Sequence, residues 1–596
     1  MSKQEITRRV ETLRDYMRSH GLAAFIFPST DPHNGEYVPD HWMTRQWISG
    51  FNGSAGTAVV TLSQAALWTD SRYFLAAEEQ LDGTPYTLMK ERVEGTPTMA
   101  QWLGSILQAG DTVGIDGWVN SVESTDCLRS LLQQAGLRLD TTLDPAADLW
   151  TARPQIPMNP VEIQPLEYAG KTASSKLARI RAQMREAGAE MTIICPLDEI
   201  AWITNLRGTD VHCNPVFVAY LTISSTEATL YVAPGKLPPQ VKTYLSSEGI
   251  STLPYEALPG TLASAAPCTL LINPQSCNCR VLPPEGKGWK VLRHDSLVAP
   301  MKAIKNEAER KGFRQAMLRD GVALVKFLRW LKPAVEAGGQ TEMSVDAHLT
   351  ALRAEQPLYR DISFDTIAGY AHHGAIVHYE ATRETDIPLE PRGLLLLDSG
   401  AQYQDGTTDI TRTIPLGALT PEERTDYTLV LKGHIRLAMA KFPAGTCGTQ
   451  LDVLARYAMW QHGINFMHGT GHGVGSYLCV HEGPHQIRMN HMPAPLLPGM
   501  TVTNEPGIYR AGKHGVRIEN TMMVEEYCSG EFGRFLQLVP LTLCPISTEP
   551  IIWEMMTADE VEYLNAYHAH VRRELTPLLR GDDLAWLMEA TEEHIV

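Results

Sequence analysis

The chain contains no apolar run of the ~20 residues that a bilayer span requires; even VFVAYLTI stops far short. Its opening residues, MSKQEITRRVETLRDYMRSHG, form a polar amphipathic pattern without the apolar stretch of a secretory signal. No membrane-spanning helix is expected, and a cytoplasmic protein is. Basic surplus is also missing: 51 Lys and Arg stand against 68 Asp and Glu, a formal charge of −17. Nucleic acid and anionic membrane are poor partners for such a surface. Cysteine is sparse and scattered. Of ten cysteines only Cys277 and Cys279 lie close together, and no second pair completes a zinc knuckle.

What the chain does have is length: 596 residues, enough for roughly three or four domains. The first half reads as a duplication. KLARIRAQMREAG, MTIICPLDE and WITNLRGT repeat the order of an N-terminal helix, AAFIFPSTD and WISGFNGS. Each copy is a helix, a short buried strand, a proline, then Trp-Ile and a Gly-Ser/Thr turn, followed by β-rich runs. That alternation predicts two related α/β domains. The proline-rich stretch at 151–165 divides them, and a second boundary falls near Pro300. Beyond it MKAIKNEAERKGFRQAMLRDGVALVKFLRWLKPAV has helical periodicity. The last residues, from a capping box at Thr557 and Glu560, read as a helical appendage that covers surface or builds an oligomer contact, and equally as one exposed helix.

Chemistry concentrates in the second half. HGTGHGVGSYLCVHEGP, residues 468–484, holds His468, His472 and His481 among glycines. A zinc-protease helix is excluded, because glycines fill the spacing and the glutamate of H-E-x-x-H is missing. A phosphate loop lacks its Lys-Ser/Thr pair. A plain glycine-rich turn remains open on this segment alone. In LLLLDSGAQYQDGTTDITRTIPLG a buried strand ends in Asp398, and Asp409 follows after a turn. In MTVTNEPGIYRAGKHGVRIENTMMVEE the same device places Glu505 and Glu519. A carboxylate directly after four leucines is costly unless a positive group meets it, although a turn cap at Asp398 and a water-facing Asp409 fit this segment equally well. Four acids and an imidazole brought together would repel unless divalent cations offset them, which predicts a dinuclear metal site. Oxygen-rich ligation with one nitrogen suits Mn²⁺, with Co²⁺ or Zn²⁺ as alternatives.

These motifs, with H-E-G-P, R-I-E-N, GFNGSAGTAVV, LWTDSRYF and DEIAWITNLRGTD, resemble the three-domain aminopeptidase P enzymes, the Xaa-Pro aminopeptidases. The resemblance spans nearly the whole chain. It implies an α/β (α+β) architecture: creatinase-like domains at 1–155 and 156–300, a pita-bread metallopeptidase domain at 301–550 and a helical extension at 551–596. It implies metal ligation by Asp398, Asp409, His472, Glu505 and Glu519, with Asp409 and Glu519 touching both ions. It implies substrate contacts from His378, His468, His481 and Arg72. Arg72 reads equally as a salt-bridge partner of Asp70, and Arg517 as an orienting partner of Glu519 or a neighbouring acid. The implied reaction removes the first residue of peptides with proline in second position. A deprotonated water shared by two ions attacks, His481 supports the oxyanion and Glu505 moves the proton. A homodimer is implied as well. A prolidase, with the same ligand set, and a non-catalytic pita-bread binding module are the alternatives. One departure is AHHG, where His372 and His373 replace other polar residues; they either alter the substrate rim or are simply exposed, and exposure is expected.

Overall fold

The computed structural model describes residues 2–595. The chain divides into two compact units, one formed by residues up to Gln164 together with Lys171–Val298, the other by Pro165–Gly170 and everything from Ala299 onward.

The first unit carries the duplication as two six-stranded mixed sheets of identical topology. In the first sheet Ala24–Phe27 lies antiparallel to Thr57–Thr61 and parallel to Thr112–Ile115. In the second, Met191–Ile194 is antiparallel to Ala219–Ser224 and parallel to Thr269–Ile272. Helices capped by Ser2 and Thr172 precede the two central strands, each cap oxygen accepting a backbone N–H that the first turn leaves unpaired. The Trp-Ile segments lie in short helices that end on Gly50 (φ 80°) and Asn205 (φ 50°). Both are residue types that tolerate the left-handed turn closing a helix.

The main segment of the second unit begins with Ala299–Ala303, breaks, and resumes as the 31-residue helix Glu307–Ala337. Sequence periodicity ran through that break. It occurs because Asn306 caps the helix, accepting from Ala308 and Glu309 N–H while the Glu309 carboxylate accepts from Asn306 N–H at 2.8 Å. Two ladders carry the four acids by one shared device. Leu394–Ser399 pairs antiparallel with Ile410–Pro415, with a small hairpin at 401–407 between them. Thr501–Asn504 pairs antiparallel with Asn520–Gly530, with the hairpin Gly507–Arg510/His514–Arg517 between them.

The closing residues correct one of the two expectations: they form not one exposed helix but two helices, Ala558–Leu575 and Gly581–Ala590. Val561, Leu564, Tyr567, Val571 and Leu575 recur at helical spacing and pack into one core with Tyr427, Ile435 and Ile546. The Tyr567 hydroxyl accepts from Arg412 at 3.0 Å and donates to the Cys544 carbonyl at 2.8 Å. Among the described residues no helix is long and apolar enough to cross a membrane.

Candidate metal centre

Strand pairing explains where the acids sit. Asp398 occupies the penultimate position of its strand, opposite Thr411, and Asp409 immediately precedes the partner strand. Glu505 immediately follows Asn504, and Glu519 immediately precedes Asn520, opposite that same Asn504. Each ladder thus delivers two carboxylates at one end. Hydrogen bonds hold them there: Glu519 N–H donates to the Thr411 carbonyl at 3.0 Å, its carboxylate accepts from the Thr411 hydroxyl at 2.7 Å, and Glu505 N–H donates to the Thr470 carbonyl at 2.8 Å.

His472 comes from the glycine-rich segment. Its strand, Gly471–Gly473, pairs with Glu482–Ile487 across a bulge. A Cβ on Gly471 would run into the Thr503 carbonyl, so only glycine lets this strand approach so closely. His472 N–H donates to the Thr503 hydroxyl at 3.0 Å, and Nδ1 lies 2.8 Å from the Gly473 carbonyl. A carbonyl only accepts, so Nδ1 carries the proton and Nε2 keeps its lone pair for an electrophile. Nε2 points at carboxylates, 3.4 Å from Asp409 Oδ2 and 3.6 Å from Glu505 Oε1.

Ligand atoms of Asp409, His472 and Glu519 all lie within 4.8 Å of one another. Two donors on one ion at roughly 2.0–2.2 Å stand up to about 4.4 Å apart, and the His472 separations fall inside that span. Asp398 is 7% exposed; Arg517 pairs with its Oδ2, but its buried Oδ1 has no hydrogen-bond partner, an acceptor that a bound cation would satisfy. Electrostatics agree. Burial, then the neighbouring charges of Asp398 and Glu505, push Asp409 well above the carboxylate range. Burial and Asp409 do the same to Glu519. Burial pushes Glu505 up to about 7, against the pull of Arg517. Three acids that resist ionising in the bare protein, with Asp398 beside them, form a donor set suited to two divalent cations.

The substrate-side candidates separate. His481 stacks edge-on against His472, ring centres 4.3 Å apart. Beside it Glu482 is fully buried and bridges Lys302 (2.5 Å) and Lys305. His468 donates from Nδ1 to the Gly469 carbonyl (2.7 Å), and its Nε2 receives the Tyr509 hydroxyl at 2.8 Å. Tyr509 in turn accepts from Arg517 Nη1 at 2.7 Å. Arg517 is buried and grips Asp398 Oδ2 through Nη2 (2.7 Å) and Nε (3.1 Å); Asp398, and not Glu519, is its acid. An Arg517–Tyr509–His468 chain therefore joins a candidate ligand to a candidate substrate contact. Tyr509 escaped sequence analysis; its nearness to Glu505 in TNEPGIYR was the available signal. His378 follows Val377, whose carbonyl accepts from Arg517 Nη2 at 3.3 Å. Arg72 lies in the first unit, its guanidinium paired with Asp70 (2.8 and 2.9 Å) and 3.6 Å from Glu36. His372 is exposed, but the expectation of exposure fails for His373, whose side chain is 12% exposed and bonded to the buried Glu342 at 3.0 Å.

Comparison with known proteins adds independent information. Residues 311–526 match the description "Metallopeptidase family M24" and 534–594 its C-terminal region. Residues 9–143 and 152–309 each match "Creatinase/Prolidase N-terminal domain". Aminopeptidase P1 of Arabidopsis thaliana is 37% identical, covering 98% of each chain. Xaa-Pro aminopeptidase 1 of Dictyostelium discoideum is 37% identical over 97% of this chain and 94% of its own. A solved X-prolyl aminopeptidase from Caenorhabditis elegans, described as a cytosolic enzyme with a di-nuclear active site, superposes with a TM-score of 0.94 at 34% identity, covering both chains fully.

Proposed function

Because the chain belongs to metallopeptidase family M24, with two creatinase/prolidase-type domains ahead of the catalytic region as in the Xaa-Pro aminopeptidases, we propose that it hydrolyses the first peptide bond of peptides whose second residue is proline. The observation that carries this reading is the convergence of Asp409, His472 and Glu519 beside Glu505 and the half-satisfied Asp398. In this reading Asp398, Asp409, His472, Glu505 and Glu519 hold two divalent ions. The oxygen-rich donor set favours Mn²⁺. When bound, such a pair supplies Lewis acidity and lowers the pKa of a water toward neutrality.

The chain's own groups do the rest. Glu505 takes the proton of the attacking water and passes it to the prolyl nitrogen, which must leave as a secondary amine from a tertiary amide. His481, against His472, donates toward the developing oxyanion. His468, fixed by Tyr509, and His378 orient the substrate around the proline ring. An X–Pro bond lacks the N–H that ordinary peptidases engage, so recognition rests on shape and on these side chains. A cytoplasmic homodimer fits the description of the C. elegans enzyme as cytosolic and the full-length likeness.

The rival is a prolidase confined to Xaa-Pro dipeptides. A prolidase would use the same ligand set, so the discriminating experiment is substrate length. Parallel assays of an Xaa-Pro dipeptide and an Xaa-Pro-Xaa tripeptide should show first-residue release from the tripeptide; hydrolysis of the dipeptide alone would establish the rival.

A further inference from the structure

Glu342 is the first residue of the helix Glu342–Ala354, and its side chain has no exposure. Among the described residues no lysine or arginine pairs with it; His373 is its only basic partner. Every donor it accepts comes from one short segment. Tyr370 N–H donates at 2.8 Å, His373 Nδ1 lies 3.0 Å from both oxygens, and the Tyr379 hydroxyl donates at 2.8 Å. The His373 ring also stacks on Tyr379, centres 4.3 Å apart. A buried carboxylate without these donors would be costly, so it and the segment hold each other in place.

The three donors bracket His378. His373 and Tyr379 stand on either side of Ile376–Val377–His378, and the opposite flank is fixed too. The Val377 carbonyl accepts from Arg517 Nη2, and Gly374 packs against Gly515 so tightly that a Cβ on Gly515 would meet the Gly374 carbonyl. The segment is pinned from one side by Glu342 and from the other by the arginine that grips Asp398.

We infer that Glu342, acting through His373 and Tyr379, is a positioning residue for His378: it sets where that imidazole stands relative to the metal-ligand cluster, and His373 is the contact through which this chain does so. The inference rests on the proposed substrate-side role of His378. It also gives the AHHG departure a function. The second histidine supplies a donor to a carboxylate that, among the described residues, has no other basic partner.

The test is a double-mutant cycle on the metal-loaded full-length enzyme, with metal content and thermal midpoint measured for each variant. His373→Ala should lower kcat/KM on an Xaa-Pro-Xaa peptide about tenfold with metal content unchanged. His373→Asn, whose amide keeps a donor where Nδ1 was, should recover most of that loss. In a His378→Ala background the further effect of His373→Ala should shrink to less than about twofold. Full additivity in that background, or no effect of His373→Ala alone, overturns the inference while leaving the peptidase reading intact. A His378→Ala variant with undiminished activity overturns the role of His378 itself. Should His373→Ala lose metal or fold, Tyr379→Phe, which deletes one hydroxyl, takes its place in the same cycle with the same criteria.

Discussion

Chelating the protein and following its stability with pH exposes the carboxylate cluster directly. In the bare protein burial raises Glu505 from an ordinary 4.5 to about 7, and burial raises Asp409 and Glu519 as well. A carboxyl whose folded pKa lies above its unfolded pKa binds more protons in the folded state between those values, so stability falls as pH rises through the interval. For Glu505 alone the loss is about 3 kcal/mol between pH 4.5 and 7, and the raised Asp409 and Glu519 act in the same direction. A unit of this size shifts by about 2 °C per kcal/mol. The metal-free catalytic unit should therefore melt about 6 °C lower at pH 8 than at pH 5 from Glu505 alone, a share that Glu505→Gln removes. Two equivalents of Mn²⁺ should abolish the slope, because bound cations favour the ionised acids. Differential scanning calorimetry across pH 5–8, with and without metal, reads this out. A metal-free protein equally stable or more stable at pH 8 would refute the argument that these four acids crowd one another.

Three further perturbations follow from particular contacts. Glu482→Gln leaves Lys302 and Lys305 buried without an anion and should lower stability by about 3–5 kcal/mol, seen as a reduced urea midpoint. Gly471→Ala forces a methyl into the Thr503 carbonyl; it should cost roughly 1–3 kcal/mol and reduce metal occupancy by displacing His472, measured by elemental analysis after dialysis. Tyr509→Phe strips the hydroxyl between Arg517 and His468 and should lower kcat/KM while metal content holds, with a stability loss of about 1–3 kcal/mol.

Much of this was legible in the chain because it is local or repetitive. Acid–strand–turn–strand–acid is spelled twice, and the two ladders place both pairs alike. The helix–strand–proline repeat is likewise two copies of one sheet topology. What stayed hidden depends on partners far apart in sequence. No spacing rule joins Glu482 to Lys302, 180 positions away, or shows that His373 turns inward to Glu342. The C-terminal helices carried a readable apolar stripe, but what it packs on is set by Arg412 and the Cys544 carbonyl meeting Tyr567. The helix start at Glu307 was missed because good helix formers flank Asn306, and the cap outweighs their propensity.

The central claim is that five side chains hold two ions that hydrolyse the Xaa-Pro bond. Its most direct test is a titration of Mn²⁺ into chelated enzyme while release of free arginine from Arg-Pro-Pro is followed. The account predicts no release without metal and full recovery that saturates at two ions per chain. Release that persists after complete chelation, or saturation with Asp409→Asn and Glu519→Gln as active as the parent, would contradict it.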